Sequence, residues 1–365
     1  MSKKSKKISI KKSKNIRSLS PKRKNVVYMA KPSYGGWVGF TAHLCLKIKA
    51  QLYKVGNRTE AKKDGTPTMR PYGYGVDYQN LSIEDICKLP QLLVSAIDKN
   101  YYHYLDALPD GTIIVIHDPT EVKINSSEPV LRNLPRFRVI TIRKTVQKYL
   151  KEHFDIDSTF MIHPFYPYFK QIDGKVMKRK SGAVSISRID YDKHTEVIID
   201  ANAILKKNGK PIIDIYGAKN DRYVFHKLQE KDDMKVTNPN SSYKGKFEKS
   251  FEAVHKLLGP RKYMVDLSAI RYDGGGSQYT FLEALYEGCV LVLNTKWLES
   301  SGKKGEAPKK IPKSKFKPGV NCFVVSSAEE LAVCVSKNRT GLSKIVANGG
   351  KLLSPHLRVN WNTIF

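Results

Sequence analysis

Long apolar stretches are missing from this 365-residue chain. Runs such as Ile113 to Ile116 and Val290 to Leu293 fall far short of the roughly 20 residues that a membrane-spanning helix needs. No apolar core follows the basic N-terminus before Val26, so a secretory leader and an integral membrane anchor are not expected. Cysteine is scarce as well. Cys45, Cys87, Cys289, Cys322 and Cys334 are scattered, odd in number and without a C-x-x-C pair, which excludes a disulfide scaffold or a zinc ribbon and predicts reduced thiols in a cytoplasm-like compartment. The nine histidines include no H-E-x-x-H, so no protein-held metal is expected. Acid is absent from residues 1–24 altogether.

What is present is base and a sizeable apolar fraction. The chain holds 64 Lys and Arg against 34 Asp and Glu, a formal charge of +30, with 41% apolar and 10% aromatic residues. That composition buries real cores, and the length suggests two domains of about 150 residues each. Eleven of the bases lie in residues 1–24 among serines, the composition of a solvated, disordered tail. Such a tail serves either as a tether to nucleic acid or another anionic surface, through counterion release, or as a plain solubilising end. Aromatic residues that would stack single-stranded bases are not interleaved with it.

Beyond the tail, short apolar strands alternate with amphipathic helices. Asn25–Met29 reads as a strand and leads into a turn containing Gly35 and Gly36. Phe40, Leu44, Ile48 and Leu52 then recur every four residues, predicting a helix. Thr112–Ile116 is a second strand, running into His117 and Asp118. Arg138–Ile142 precedes a helix marked by Val146, Leu150 and Phe154. The second half repeats the pattern with strands at Ala183–Ser187, Pro211–Tyr216, Met264–Ser268 and Val290–Asn294, and helices over 195–206 and 279–287. This alternation argues for parallel sheets covered on both faces. The predicted organisation is a tail over 1–24, a first Rossmann-like domain over 25–168, a linker over 169–181 and a second domain over 182–365, facing each other across a cleft. Residues 299–319, rich in Lys and Pro, are expected to form a surface loop. No internal repeat is visible.

Three segments of the second half suit one ligand. Arg188 and Lys193 lie five apart just beyond a strand and can clamp a diphosphate. The run Asp273-Gly274-Gly275-Gly276-Ser277 opens onto a helix, so bare N–H groups and a positive helix end face the cleft. Glu283, on that helix, can accept two ribose hydroxyls.

The order Ser185-Ile-Ser-Arg188-Ile-Asp-Tyr-Asp-Lys193, Ile213-Asp-Ile-Tyr-Gly217, Val265-Asp-Leu-Ser268, Tyr272-Asp-Gly-Gly-Gly276, Phe281-Leu-Glu283-Ala284, Gly319-Val-Asn321 and Glu329-Glu-Leu-Ala332, ending at Val359-Asn-Trp361, resembles the donor domain of retaining GT-B glycosyltransferases. The first half is similar more loosely, through Gly35-Gly36, the strand ending at His117, and Phe160 to Pro164. The resemblance implies a hexosyltransferase using a nucleotide diphosphate sugar, most simply a UDP-sugar such as UDP-glucose, with no cofactor. By it, Arg188 and Lys193 hold the diphosphate, Glu283 the ribose, Gly35, Gly36 and the loop 273–277 the donor, and His117 reaches the donor sugar. The family usually has an acid eight positions before Glu283, where this chain has Gly275. Asp273 is the substitute at hand.

Retention in this fold uses the leaving phosphate to take up the acceptor's proton, so the protein's contribution is electrostatic. Inversion would need a carboxylate base in the first domain, and Asp118 is the nearest one. The expected acceptor is a hydroxyl of a glycan, glycoprotein or small molecule, in the cytoplasm. Two alternatives follow from the charge: transfer to hydroxymethylated bases of DNA, in a nuclear or virus-associated setting, with the tail on phosphates, or a non-catalytic nucleic-acid-binding protein on the same scaffold.

Overall fold

The computed structural model describes residues 24–31, 35–56, 74, 76–118, 121–122, 128–169, 180–228, 241–247, 250–268, 278–300, 309–310, 314–337 and 339–365. Almost all of the basic tail, most of the expected linker and the whole 273–277 run lie outside the described residues.

The first half forms a seven-stranded sheet in the order β3-β2-β1-β4-β5-β6-β7, every pairing parallel. Its strands are β1 (Asn25–Met29), β2 (Gln51–Val55), β3 (Tyr78–Leu81), β4 (Leu92–Ile97), β5 (Ile113–Ile116), β6 (Arg138–Thr141) and β7 (Thr159–Phe160). The helices of this half are α1 (Gly36–Ile48), α2 (Ile83–Cys87), α3 (Glu128–Asn133) and α4 (Lys144–Phe154). The second half forms a six-stranded parallel sheet, β10-β9-β8-β11-β12-β15. It comprises β8 (Ser181–Ile186), β9 (Ile213–Tyr216), β10 (Tyr243–Gly245), β11 (Arg261–Asp266), β12 (Val290–Asn294) and β15 (Phe323–Val325), with a small antiparallel ribbon of β13 (Glu299–Ser300) and β14 (Lys309–Lys310). Its helices are α5 (Thr195–Lys207), α6 (Asp221–Tyr223), α7 (Phe251–Leu258), α8 (Tyr279–Tyr286), α9 (Ala328–Ser336) and α10 (Leu342–Arg358). The two halves are therefore doubly wound α/β units with the same central order, reversing direction at β1 and β8 respectively.

Beyond shifted strand ends, such as Arg261–Asp266 where Met264–Ser268 is expected, sequence expectation and structure part at two places. Leu52 continues the four-residue spacing of α1 but belongs to β2. The helix stops because Lys49 takes a left-handed backbone (φ 54°) whose N–H closes onto the Cys45 carbonyl. Within 299–319, expected as loop, residues 299–300 and 309–310 pair as the ribbon. The centre of the first sheet is buried on two faces, as its largely apolar strands require: β1, β4 and β5 are buried at every position.

The halves are joined by packed side chains. α1 lies against α8, close enough that a Cβ on Gly39 would sit 3.3 Å from Tyr279 Cγ. His43 of α1 stacks between Phe165 and Tyr279, with ring centroids 4.5 and 4.8 Å away. After α10 the chain returns to the first half as a single 3-10 turn, Trp361–Ile364. Trp361 is fully buried, its ring edge on Phe40 at 5.4 Å and its indole N–H donating to the Ile162 carbonyl at 3.0 Å.

Candidate active site

In parallel α/β sheets the chain leaves each strand toward one edge, and ligands bind in the crevice beyond the strand ends. The chemically suggestive residues of this chain sit there. Gly35 and Gly36 follow β1 and start α1. Gly35 has φ +96°, and added Cβ atoms at 35 or 36 would meet nothing within 4 Å, so the first turn of this 13-residue helix is open above. His117 follows β5 and lies under that turn, 4.7 Å centroid to centroid from Phe40 and 6.1 Å from Trp37. Its Nε2–H donates to the Ser95 carbonyl at 2.7 Å, which leaves Nδ1 as an acceptor. The ring is 6% exposed, and burial pulls its pKa down to about 4, so it is neutral at physiological pH.

Two acids and an arginine surround this strand end. Asp118 pairs with Arg143 at 3.2 Å, at the start of α4. Glu121 accepts the backbone N–H of His117 at 3.1 Å and is buried. Neither Glu121 nor Arg143 carries a sequence signal, since each is a single charged residue with no diagnostic spacing.

On the opposite sheet, Ser187–Lys193 follow β8. The loop after β9 crosses so closely that a Cβ on Gly217 would stand 1.8 Å from the Ser187 carbonyl oxygen, so glycine is obligatory there. Arg188 is more than half exposed and pairs with Asp190 at 3.2 Å and Asp192 at 3.6 Å. Lys193 is 10% exposed at its side chain and pairs with Asp192 at 3.3 Å. The structure thus brings the two cations to one loop and gives them a shared acid. Asp190 also accepts the Tyr191 N–H and an Asn220 amide, fixing the turn.

The glycine run is flanked by a tied strand end and helix start. Asp266, at the end of β11, accepts from Ser268 N–H at 2.9 Å and Thr280 Oγ1 at 3.4 Å, and Gln278 reaches Ser268 Oγ at 3.3 Å. Asp273, Gly274, Gly275, Gly276 and Ser277 themselves lie outside the described residues. Glu283, one turn into α8, is completely buried and receives the Tyr74 hydroxyl on Oε1 at 3.2 Å. Burial first, and then Glu283, push the Tyr74 phenol well above its ordinary range. Tyr74 comes from the first half and gave no sequence signal.

Residues 35, 36 and 117 are therefore assembled at one strand edge and 188 and 193 at another, with the α1–α8 contact between the halves. Glu283 is buried where the halves meet, against Tyr74 of the first. A hollow lined by Leu89, Gln91, Pro109, Arg138 and Phe365 lies at the far edge of the first sheet, where the strands begin. Among the described residues, no helix is long and apolar enough to cross a membrane, and no group of three His, Cys, Asp or Glu side chains is placed to hold a metal ion.

No family model and no curated protein matches this chain. Solved structures do match. HepE of Anabaena, in complex with UDP and glucose, is 14% identical, with 94% of this chain and 97% of that one covered and a TM-score of 0.58. An alpha-glucosyltransferase in complex with UDP-glucose and DNA containing an abasic site is 13% identical over 92% and 95%, TM-score 0.61. A glycosyltransferase from Rickettsia africae ESF-5 is 13% identical over 92% and 96%, TM-score 0.53. With two doubly wound sheets, near-complete mutual coverage and a C-terminal turn packed back on the first half, this chain has the GT-B fold of these glycosyltransferases.

Proposed function

We propose that the protein is a glycosyltransferase that moves a hexose from a UDP-sugar to a hydroxyl of a glycan, glycoprotein or small acceptor, with retention at the anomeric carbon. The observation that carries this reading is that His117 lies beneath the first turn of α1 at the strand ends of the first sheet, and the Arg188–Lys193 loop at the strand ends of the second. It is supported by HepE and the alpha-glucosyltransferase, which share the fold and were solved with UDP or UDP-glucose. In this mechanism Arg188 and Lys193 stabilise charge growing on the leaving diphosphate. The neutral His117, with Nδ1 as acceptor, takes a hydrogen bond from a sugar hydroxyl and fixes the donor sugar's orientation. The leaving phosphate receives the acceptor's proton on the face it departs from.

The test is slow donor hydrolysis: the purified protein is incubated with a panel of nucleotide sugars and nucleoside diphosphate release is measured. Release from a UDP-hexose above the spontaneous rate is expected. No release and no binding of any nucleotide across the panel would defeat the proposal.

A second reading has its own support in the +30 charge and in the alpha-glucosyltransferase solved with DNA. If the acceptor is DNA, deleting residues 2–24 flattens the slope of log affinity against log salt by about 0.9 for each phosphate that the tail no longer neutralises. If full-length protein does not bind DNA at low salt, the acceptor is of the first kind.

A further inference from the structure

We infer that Glu121 is a positioning residue: its side chain ties down the backbone of His117 and thereby fixes where the imidazole sits at the cleft. This rests on the glycosyltransferase reading for its consequence, though not for its geometry. His117 is held at two points. The ring is tied through Nε2–H to the Ser95 carbonyl at 2.7 Å, and the main chain through N–H to Glu121 Oε2 at 3.1 Å. Glu121 in turn donates its own N–H to the carbonyl of Asp118, the residue after His117, at 3.1 Å. Only 5% of Glu121 is exposed, and its other oxygen, Oε1, is buried without a hydrogen-bond partner among the described residues.

A buried carboxyl with one oxygen unengaged is poorly placed to hold a charge. Burial is the main cause that pushes Glu121 up to about 8. Asp118 adds to it, while the His117 amide and Arg143 pull the other way. Tyr102 also lies within its field and is raised partly by Glu121. Below pH 8 the group is a neutral acid whose oxygen accepts the His117 amide. Above it, a negative charge appears in a dry site beside the ring, where it strengthens the hydrogen bond from the His117 amide and changes the field at the imidazole. Donor turnover should therefore change as pH passes 8, through His117 and without loss of UDP affinity.

Glu121→Gln keeps an acceptor oxygen of the same reach but cannot ionise, so its turnover is expected to stay level between pH 7 and 9 where that of the wild type changes. Glu121→Ala removes the tie and should lower kcat tenfold or more with UDP affinity, by calorimetry, within twofold of wild type. A readout free of turnover is the His117 imidazole signal in a histidine-labelled sample. In wild type it should move as pH crosses 8, and in Glu121→Gln it should not. A wild-type His117 signal insensitive to pH near 8, or the same movement in both proteins, overturns the inference whatever the activity. If instead the signals behave as stated and no nucleotide sugar is turned over, the positioning role stands and the glycosyltransferase reading fails.

Discussion

Removing Arg188 or Lys193 should weaken UDP binding by about 1.5 to 3 kcal/mol each, the range for hydrogen bonds to charged groups, or roughly tenfold to a hundredfold in Kd. The two variants should differ in what else they do. Arg188 is 56% exposed and its pairs with Asp190 and Asp192 are solvent-screened, so Arg188→Ala should leave folding stability within about 0.5 kcal/mol of wild type. Lys193 is 10% exposed against Asp192. Truncating it strips both packing and the partner of a half-buried acid, so Lys193→Met, which keeps the stem, is the better probe. Because both cations share Asp192, the double variant should lose less than the sum of the two single losses. Isothermal calorimetry with UDP at low and moderate salt decides the matter, with the losses shrinking as salt screens the exposed arginine. Kd values within twofold of wild type in both single variants would refute the diphosphate clamp.

If Glu283 holds the ribose, Glu283→Gln should erase the preference for UDP over its 2′-deoxy analogue, since an amide accepts two hydroxyls less well than a carboxylate; an unchanged preference in competition binding would confine Glu283 to its contact with Tyr74. Acid should destabilise the fold through its buried histidines: burial holds His117 and His356 at about 4 and His163 well below 6.5, so their contribution is present above pH 6.5 and is lost as pH falls toward 4. The loss is about 1.4 kcal/mol per pH unit for each ring. Glu121, raised to about 8, opposes this between its unfolded value near 4.5 and 8, where the folded form gains stability as pH drops. His356→Asn keeps a donor for the His163 carbonyl, and it should flatten the acid slope measured by urea denaturation by one proton's worth; an identical slope counts against this account. Trp361→Ala should cost about 3 to 5 kcal/mol, because the ring is fully buried on Phe40 and its N–H is used. A loss under 1 kcal/mol would mean that the C-terminal turn does not hold the halves together.

Strands buried on both faces were legible because a short, nearly unbroken apolar run between turn residues fits little besides the middle of a covered sheet: β1, β5 and β12 read this way, whereas β9, Ile-Asp-Ile-Tyr, alternates buried and half-buried positions. Harder were strands without that signature. β3 carries Tyr-Gln-Asn-Leu and lies at the sheet edge, half exposed, so periodicity has nothing to report. The helix α10 contains two adjacent glycines and Pro355, which in isolation read as a break. It persists because a Cβ at Gly349 would stand 2.8 Å from Leu285, so the small residue is what lets the helix approach α8. That both sheets repeat one strand order was invisible, since the order is kept by hydrogen-bond geometry with no residue repeated. At the site, motif spacing singled out Arg188, Lys193 and Glu283, but Tyr74 and Glu121 became visible only once the fold set each beside a partner distant in sequence or hidden from water.

Gly39 acts as a gauge block between the two halves. With no side chain, it sets the separation of α1 and α8 at contact with the Tyr279 ring. A single methyl there would demand a few tenths of an ångström from that ring, and the ring is held by its hydroxyl on the Pro164 carbonyl and by the flat face of His43. With the ring held at its hydroxyl and on one face, a larger residue at 39 presses on the spacing of α1 and α8. A graded set of side chains at position 39, from hydrogen to methyl to isopropyl, would vary that separation in small steps without replacing any residue proposed to bind the donor.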